Sequence, residues 1–140
     1  MILFCDTSAL VKLYIREAET DRLLHAVGTA SVVAVCRIAW AEAMAALARR
    51  ARETTGDAPT IEVARGRLQR DWENYAIIEV TQPLVELADD YSDTFALRAY
   101  DSIQLAAAAT LHAAVGDTVR FACFDQRLQK AAGILGLKPV

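Results

Sequence analysis

The stretch "ILFCDTSALVKLYIRE" (residues 2–17) carries the grammar of the whole chain. Its first four residues are uniformly apolar and too few for a helix, so "ILFC" (2–5) reads as a buried strand. Asp6 ends the apolar run, and "DTSALVKLYIRE" reads as a helix opened by that acid. The same order returns near the other end. There "VRFACF" (119–124) reads as a strand, and "DQRLQKAAG" (125–133) as a short helix stopped by Gly133.

The chain between them keeps alternating. A second helix is expected over about 19–28, ending near Gly28, and "SVVAV" (31–35) is β-branched and strand-like. A helix at about 38–52 follows, then a loop, "TTGDAP" (54–59). Pro59 suits the first turn of the next helix, which places Ile61, Ala64, Leu68, Trp72 and Tyr75 on one face. "AIIEV" (76–80) is the next strand. Pro83 marks a helix whose apolar stripe is Leu84, Leu87, Ala88, Tyr91 and Phe95. An Ala-rich helix starts at Asp101, and the tail "LKPV" (137–140) is an edge strand, because Pro139 fits only an edge. Strands alternating with helices imply right-handed crossovers and a sheet covered on both faces. The expected fold class is α/β: a three-layer α/β/α sandwich with a central, mostly parallel sheet, as one domain over residues 1–140.

Composition fits a folded chain. Hydrophobic residues make up 54% and charged residues 24%, which argues against disorder. No apolar run approaches the ~20 residues that span a bilayer, so no membrane association is expected. The opening "MILFCDTS" lacks a basic leader region, and the expected location is cytoplasmic. Cys5, Cys36 and Cys123 lie in apolar runs at spacings unlike a zinc site, so they are expected to be buried free thiols. His25 and His112 are isolated and offer no His/Cys metal cage. The net charge is −3 and the pI about 5.3, which lacks the usual basic footprint of a nucleic-acid binder. Yet Arg49, Arg50, Arg52, Arg65, Arg67 and Arg70 fall in one stretch, and a locally basic face or an ordinary solvated one both remain open.

Parallel α/β sheets bind ligands at the carboxyl ends of their strands. Asp6 and Asp125 each follow a strand, and Asp101 opens a helix able to point at the same edge. Each alone reads as an ordinary N-cap. Glu42, in "IAWAEAMAALA", sits about a turn and a half into a nearly uncharged helix. It either lies on a solvent-facing stripe or needs a partner or a metal. Together the four form a constellation that structure alone does not demand. Crowded carboxylates raise one another's pKa, and a divalent cation relieves them. All-oxygen ligation favours Mg²⁺ or Mn²⁺ and suits phosphoryl chemistry. Tyr100 and Trp40 read as core or rim rings rather than base-stacking platforms.

"FCDTSALVKLYIRE", the Ala-Glu pair of "IAWAEAMAAL", "LRAYDSIQLAAAA" and "FDQRLQKAAGILGL" resemble the PIN-domain ribonucleases, and most closely the VapC-like toxins of toxin–antitoxin modules. The resemblance spans nearly the whole chain, with the motifs in the family's order. It implies that Asp6, Glu42, Asp101 and Asp125 are the catalytic, metal-holding acids. It implies that Ser8, with Thr7 beside it, supports them; in both, a capping role in the first helical turn is the alternative. It further implies Mg²⁺- or Mn²⁺-dependent hydrolysis of RNA, with tRNA or rRNA as targets, a homodimer, and a cognate antitoxin as protein partner. Cys123 and Phe124 depart from the small hydroxyl residue common before the last acid, which leaves open whether Asp125 ligates directly or through water. Lys12 and Arg16, one turn apart, and Arg98, three residues before Asp101, are candidate substrate-binding cations. The helical pair at 38–74 is expected to face a second subunit, an antitoxin or RNA.

Two other classes compete. One is a Mg²⁺-dependent phospho-accepting receiver, with Asp6 or Asp125 as acceptor. That fold needs an acidic pair after its first strand and a Lys on a late strand, whereas here strand one gives a single Asp and 119–124 has no Lys. The other is a non-catalytic PIN-like module that binds RNA or protein, since a fold does not guarantee an activity.

Overall fold

A computed structural model describes residues 1–140. Five strands, β1 (Ile2–Cys5), β2 (Val32–Cys36), β3 (Ala76–Ile78), β4 (Val119–Ala122) and β5 (Lys138–Pro139), form one wholly parallel sheet in the order β3-β2-β1-β4-β5. Seven helices cover it: α1 (Thr7–Lys12), α2 (Thr20–Thr29), α3 (Ala39–Glu53), α4 (Ala58–Asp71), α5 (Gln82–Phe95), α6 (Ala99–Ala114) and α7 (Gln126–Ile134). No helix is long and apolar enough to cross a membrane.

Crossover handedness accounts for the layers. From β1 to β2 to β3 the chain steps one way across the sheet, and from β3 to β4 to β5 it steps the other way. With right-handed connections the two sets of helices land on opposite faces. Helices α1–α4 pack with Leu3, Cys5 and Val35 on one face, while α5–α7 pack with Phe4, Ala34, Cys36 and Phe121 on the other. Neighbouring strand residues divide between the two cores because strand side chains alternate. The register sets Phe4 beside Phe121, with ring centroids 5.6 Å apart. Every cysteine is a buried free thiol, as expected.

Several boundaries differ from the sequence reading. Helix α1 ends at Lys12 rather than running on to Glu17. Tyr14 leaves the helical path to become buried, its hydroxyl donating to Asp71 Oδ2 at 2.9 Å and meeting the Tyr75 hydroxyl. Thr20 Oγ1 donates to the freed Lys12 carbonyl at 3.1 Å. Helix α2 runs through Gly28, and α7 runs through Gly133. The turn after α7 is made instead by Gly136, whose φ of 84° suits glycine. The loop at 54–59 contains a turn of 3₁₀ helix over Thr55–Asp57 and then the first residues of α4, with Pro59 in its first turn as expected. The edge strand at Pro139 is present.

The sheet order places β1 and β4 side by side, with their onward connections leaving on opposite faces. That is the switch point at which open parallel sheets form a crevice. Receivers have the order 2-1-3-4-5, so the observed order removes that rival on topology as well as on motif.

A carboxylate cleft at the switch point

Asp6 follows β1 directly and caps α1. Its Oδ1 accepts from the Ala9 N–H at 2.9 Å and from Ser8 Oγ at 2.7 Å. Asp125, just beyond β4, caps α7 by accepting from the Leu128 N–H at 2.9 Å. Glu42 lies in the first turn of α3, closer to the helix start than the sequence reading placed it. Asp101 lies in the first turn of α6 but is not its cap, since the helix begins at Ala99. Helix α6 leads back into β4, so it runs against the strands and starts at their carboxyl edge. All four acids thus stand at helix N-termini, where the dipole favours negative charge.

The four line one open cleft of about 520 Å³, together with Thr7, Ser8, Lys12 and Arg98. Glu42 is half-buried, not on a solvent stripe. Its Oε1 accepts from Thr7 Oγ1 at 2.9 Å and from Gln104 Nε2 at 2.9 Å, and Gln104 Nε2 also reaches Thr7 Oγ1 at 3.0 Å. Thr7 and Ser8 leave the capping of α1 to Asp6 and brace the acids instead: Thr7 fixes Glu42, and Ser8 fixes Asp6.

Gln104 was not singled out by the sequence reading. It is 2% exposed, one helical turn beyond Asp101, and its Oε1 is buried without a partner. The available signal was its spacing: residues three apart on a helix share a face, and Gln104 is the lone amide in an Ala-rich run. Glu17, also missed, lines the cleft and joins Lys12 Nζ (2.8 Å) to Arg50 Nη1 (2.6 Å). Burial alone raises the Glu17 carboxyl, but hydrogen bonds from Lys12 and Arg50 outweigh it and hold it below the usual range.

The candidate cations divide. Lys12 lies in the cleft, tied to Glu17 and seated over the Phe124 ring at 4.9 Å. Arg98 is at the cleft with its side chain 88% exposed, and pairs with Asp101 at 3.5 Å. Arg16 is not at the cleft: because α1 stops at Lys12, Arg16 turns away and pairs with Asp21. The arginine-rich stretch is partly consumed inside the fold. Arg50 holds Glu17, Arg65 donates to the Met44 carbonyl, and Arg67 covers the Tyr14 ring. Trp40 packs edge-on to Trp72, whereas Tyr100 stands at the cleft rim.

Asp6 is 6% exposed, and its pKa is pushed up to about 6. Burial is the main cause, offset by the Ala9 and Ser8 hydrogen bonds and reinforced by the charges of Asp101 and Glu42. Those charges are felt at one point, although no three acidic, histidine or cysteine side chains close into a metal cage. Carboxylates standing apart around a common cleft is the arrangement that mutual repulsion favours. The donor set fits a hard dication in kind. It is all oxygen, it is anionic, and its most buried member is destabilised in the charged form.

Comparison with known proteins agrees with this fold. The PIN-domain family profile matches residues 3–134. The chain is similar to Ribonuclease VapC46 of Mycobacterium tuberculosis (strain ATCC 25618 / H37Rv), with 31% identity over 135 residues that cover 96% of this chain and 93% of that protein. Its fold is similar to a chain of a toxin–antitoxin complex from Klebsiella pneumoniae, with TM-score 0.67, 23% identity, and coverage of 98% of this chain and 95% of that one. It is also similar to a chain of VapBC2 from Rickettsia felis bound to a promoter DNA fragment, with TM-score 0.67, 12% identity, and coverage of 100% and 98%.

Proposed function

The chain belongs to the PIN-domain family, in its VapC-like branch, and from that premise we propose that it is a metal-dependent endoribonuclease acting as the toxin of a toxin–antitoxin pair. One observation carries the reading: four carboxylates from four separate segments line a single cleft at the switch point of the sheet.

In this reading Asp6, Glu42, Asp101 and Asp125 hold Mg²⁺ or Mn²⁺. Such an ion supplies Lewis acidity and charge neutralisation for phosphodiester hydrolysis. The chain's own residues do the rest. Ser8 and the Ala9 N–H fix one oxygen of Asp6, leaving the other without a protein partner. Thr7 and Gln104 fix one oxygen of Glu42 in the same way. Arg98 stands beside Asp101 to orient a phosphate. No protein nucleophile is needed. The protein acts as a single cytoplasmic domain on tRNA or rRNA, pairs with a second copy, and is silenced by an antitoxin. The toxin–antitoxin assemblies among its structural neighbours support the last point.

The test is incubation of the pure protein with total tRNA and rRNA, in Mn²⁺ or Mg²⁺ and then in chelator. Cleavage is expected only with metal. Asp101→Asn is expected to reduce it by at least the roughly 10- to 100-fold that losing an outer metal partner costs. Cleavage that persists in chelator overturns the mechanism. RNA binding without any cutting returns the protein to the non-catalytic class.

A further inference from the structure

Two smaller depressions open off the cleft and share Arg98 and Asp101 with it. One, of about 330 Å³, extends past Asp125 to Arg127. The other, of about 270 Å³, extends past Glu42 to Tyr100. Together they make a groove that passes over Glu42, Asp101 and Asp125, while Asp6 lies buried beneath. An anionic strand crossing such a groove needs cations at its rim. Lys12 is tied down by Glu17, which it shares with Arg50. Arg98 has only its 3.5 Å contact to Asp101. Arg127 has no carboxylate partner; one nitrogen donates to the Ala96 carbonyl at 3.1 Å, and the rest of its fork is free. The cationic side of the groove is therefore the start of α6 and α7.

Tyr100 stands at the other end. It is 60% exposed, has no aromatic neighbour, and its hydroxyl makes no hydrogen bond. A core or capping role explains none of this. An open ring beside a phosphate path is a stacking surface for a base whose own face is free. Bases inside a duplex have no free face, so the geometry selects unpaired RNA.

We propose that unpaired RNA crosses the cleft along this groove, with Tyr100 stacking on a nucleobase and Arg127 holding a phosphate on the far side of the carboxylates. The inference rests on the nuclease reading and adds the path of its substrate and two residues, Tyr100 and Arg127, that hold it. It assigns Tyr100 the stacking role that the sequence reading set aside.

The test is fluorescence anisotropy with short, 5′-labelled oligoribonucleotides of randomised sequence. An Asp101→Asn background keeps the probe intact. Tyr100→Ala is expected to weaken binding by roughly 5- to 100-fold, while Tyr100→Trp retains it. Arg127→Ala is expected to weaken binding and to lower the slope of log affinity against log salt by about 0.7, one phosphate's worth on a single strand. Blunt duplexes are expected to bind less tightly and to ignore Tyr100. Equal binding by Tyr100→Ala, a preference for duplex, or no measurable binding overturns the proposal. Both substituted positions are exposed, so folding is not at stake. If metal-dependent cleavage persists while Tyr100→Ala binds normally, only this inference falls. If Tyr100-dependent binding persists in a chain that never cleaves, the nuclease reading falls and the groove stands as a binding surface.

Discussion

Asp6 is placed where two demands conflict. Its position after β1 makes it a cap, and its burial among like charges makes ionisation costly. The folded chain therefore binds a proton at Asp6 more tightly than the unfolded chain does. Stability from this group is fully present below the unfolded value near 3.8 and is lost as pH rises through about 6. The interval is worth at most about 3 kcal/mol. Asn keeps the acceptor for Ala9 and Ser8 without the charge. In chelator, Asp6→Asn is expected to be more stable than the parent at pH 7.5 and to lose that advantage near pH 4. Urea unfolding across this range measures the difference, and a constant difference would contradict the account. Asp6 and Asp125 were legible in the sequence because a lone acid after an apolar strand has a fixed place in a parallel fold. Gln104 was not, because its meaning comes from Thr7 and Glu42, which lie 97 and 62 residues away in sequence.

The strands and the sheet class could be read from local pattern, since short β-branched runs carry their own signature. The end of α1 could not. "ALVKLYIRE" has helical character throughout, and what stops it is tertiary: Tyr14 gains burial and two partners for its hydroxyl, Asp71 at the end of α4 and Tyr75 just beyond it, and Thr20 takes up the Lys12 carbonyl. That early stop shapes the cleft as well as the chain path, for Lys12 lines the cleft and Arg16 beyond the stop turns away to Asp21. Gly28 and Gly133 mark the ends of α2 and α7 to within one residue, since only Thr29 and Ile134 follow them in helix and both are exposed. Tyr14→Phe keeps the ring and removes the hydroxyl. It is expected to cost about 1–2 kcal/mol, the worth of a hydroxyl hydrogen bond plus part of a stranded partner. The cost should appear as a lower urea midpoint with an unchanged slope. No loss of stability would mean that ring burial alone ends the helix.

At the scale of the whole molecule, an acidic protein gathers anionic groups at one edge of its sheet, and a divalent cation held there would couple local charge to global stability. An ion that binds only the folded state stabilises it by about 2.7 kcal/mol at a hundred times its dissociation constant. For a chain of this length that is a rise in melting temperature of roughly 5–10 °C. Mn²⁺ and Mg²⁺ are expected to produce it, and monovalent salt at matched ionic strength is not. The rise should shrink as pH falls below about 6, because protons then compete for Asp6. It should vanish in a chain carrying both Asp6→Asn and Asp101→Asn. Gln104→Leu leaves every carboxylate in place but frees one that Gln104 held, so the same rise should need roughly 10- to 100-fold more metal. A melting temperature indifferent to divalent ions in the parent chain would separate the carboxylate cleft from metal altogether. The fold would then be that of a nuclease family built around a cleft that works some other way.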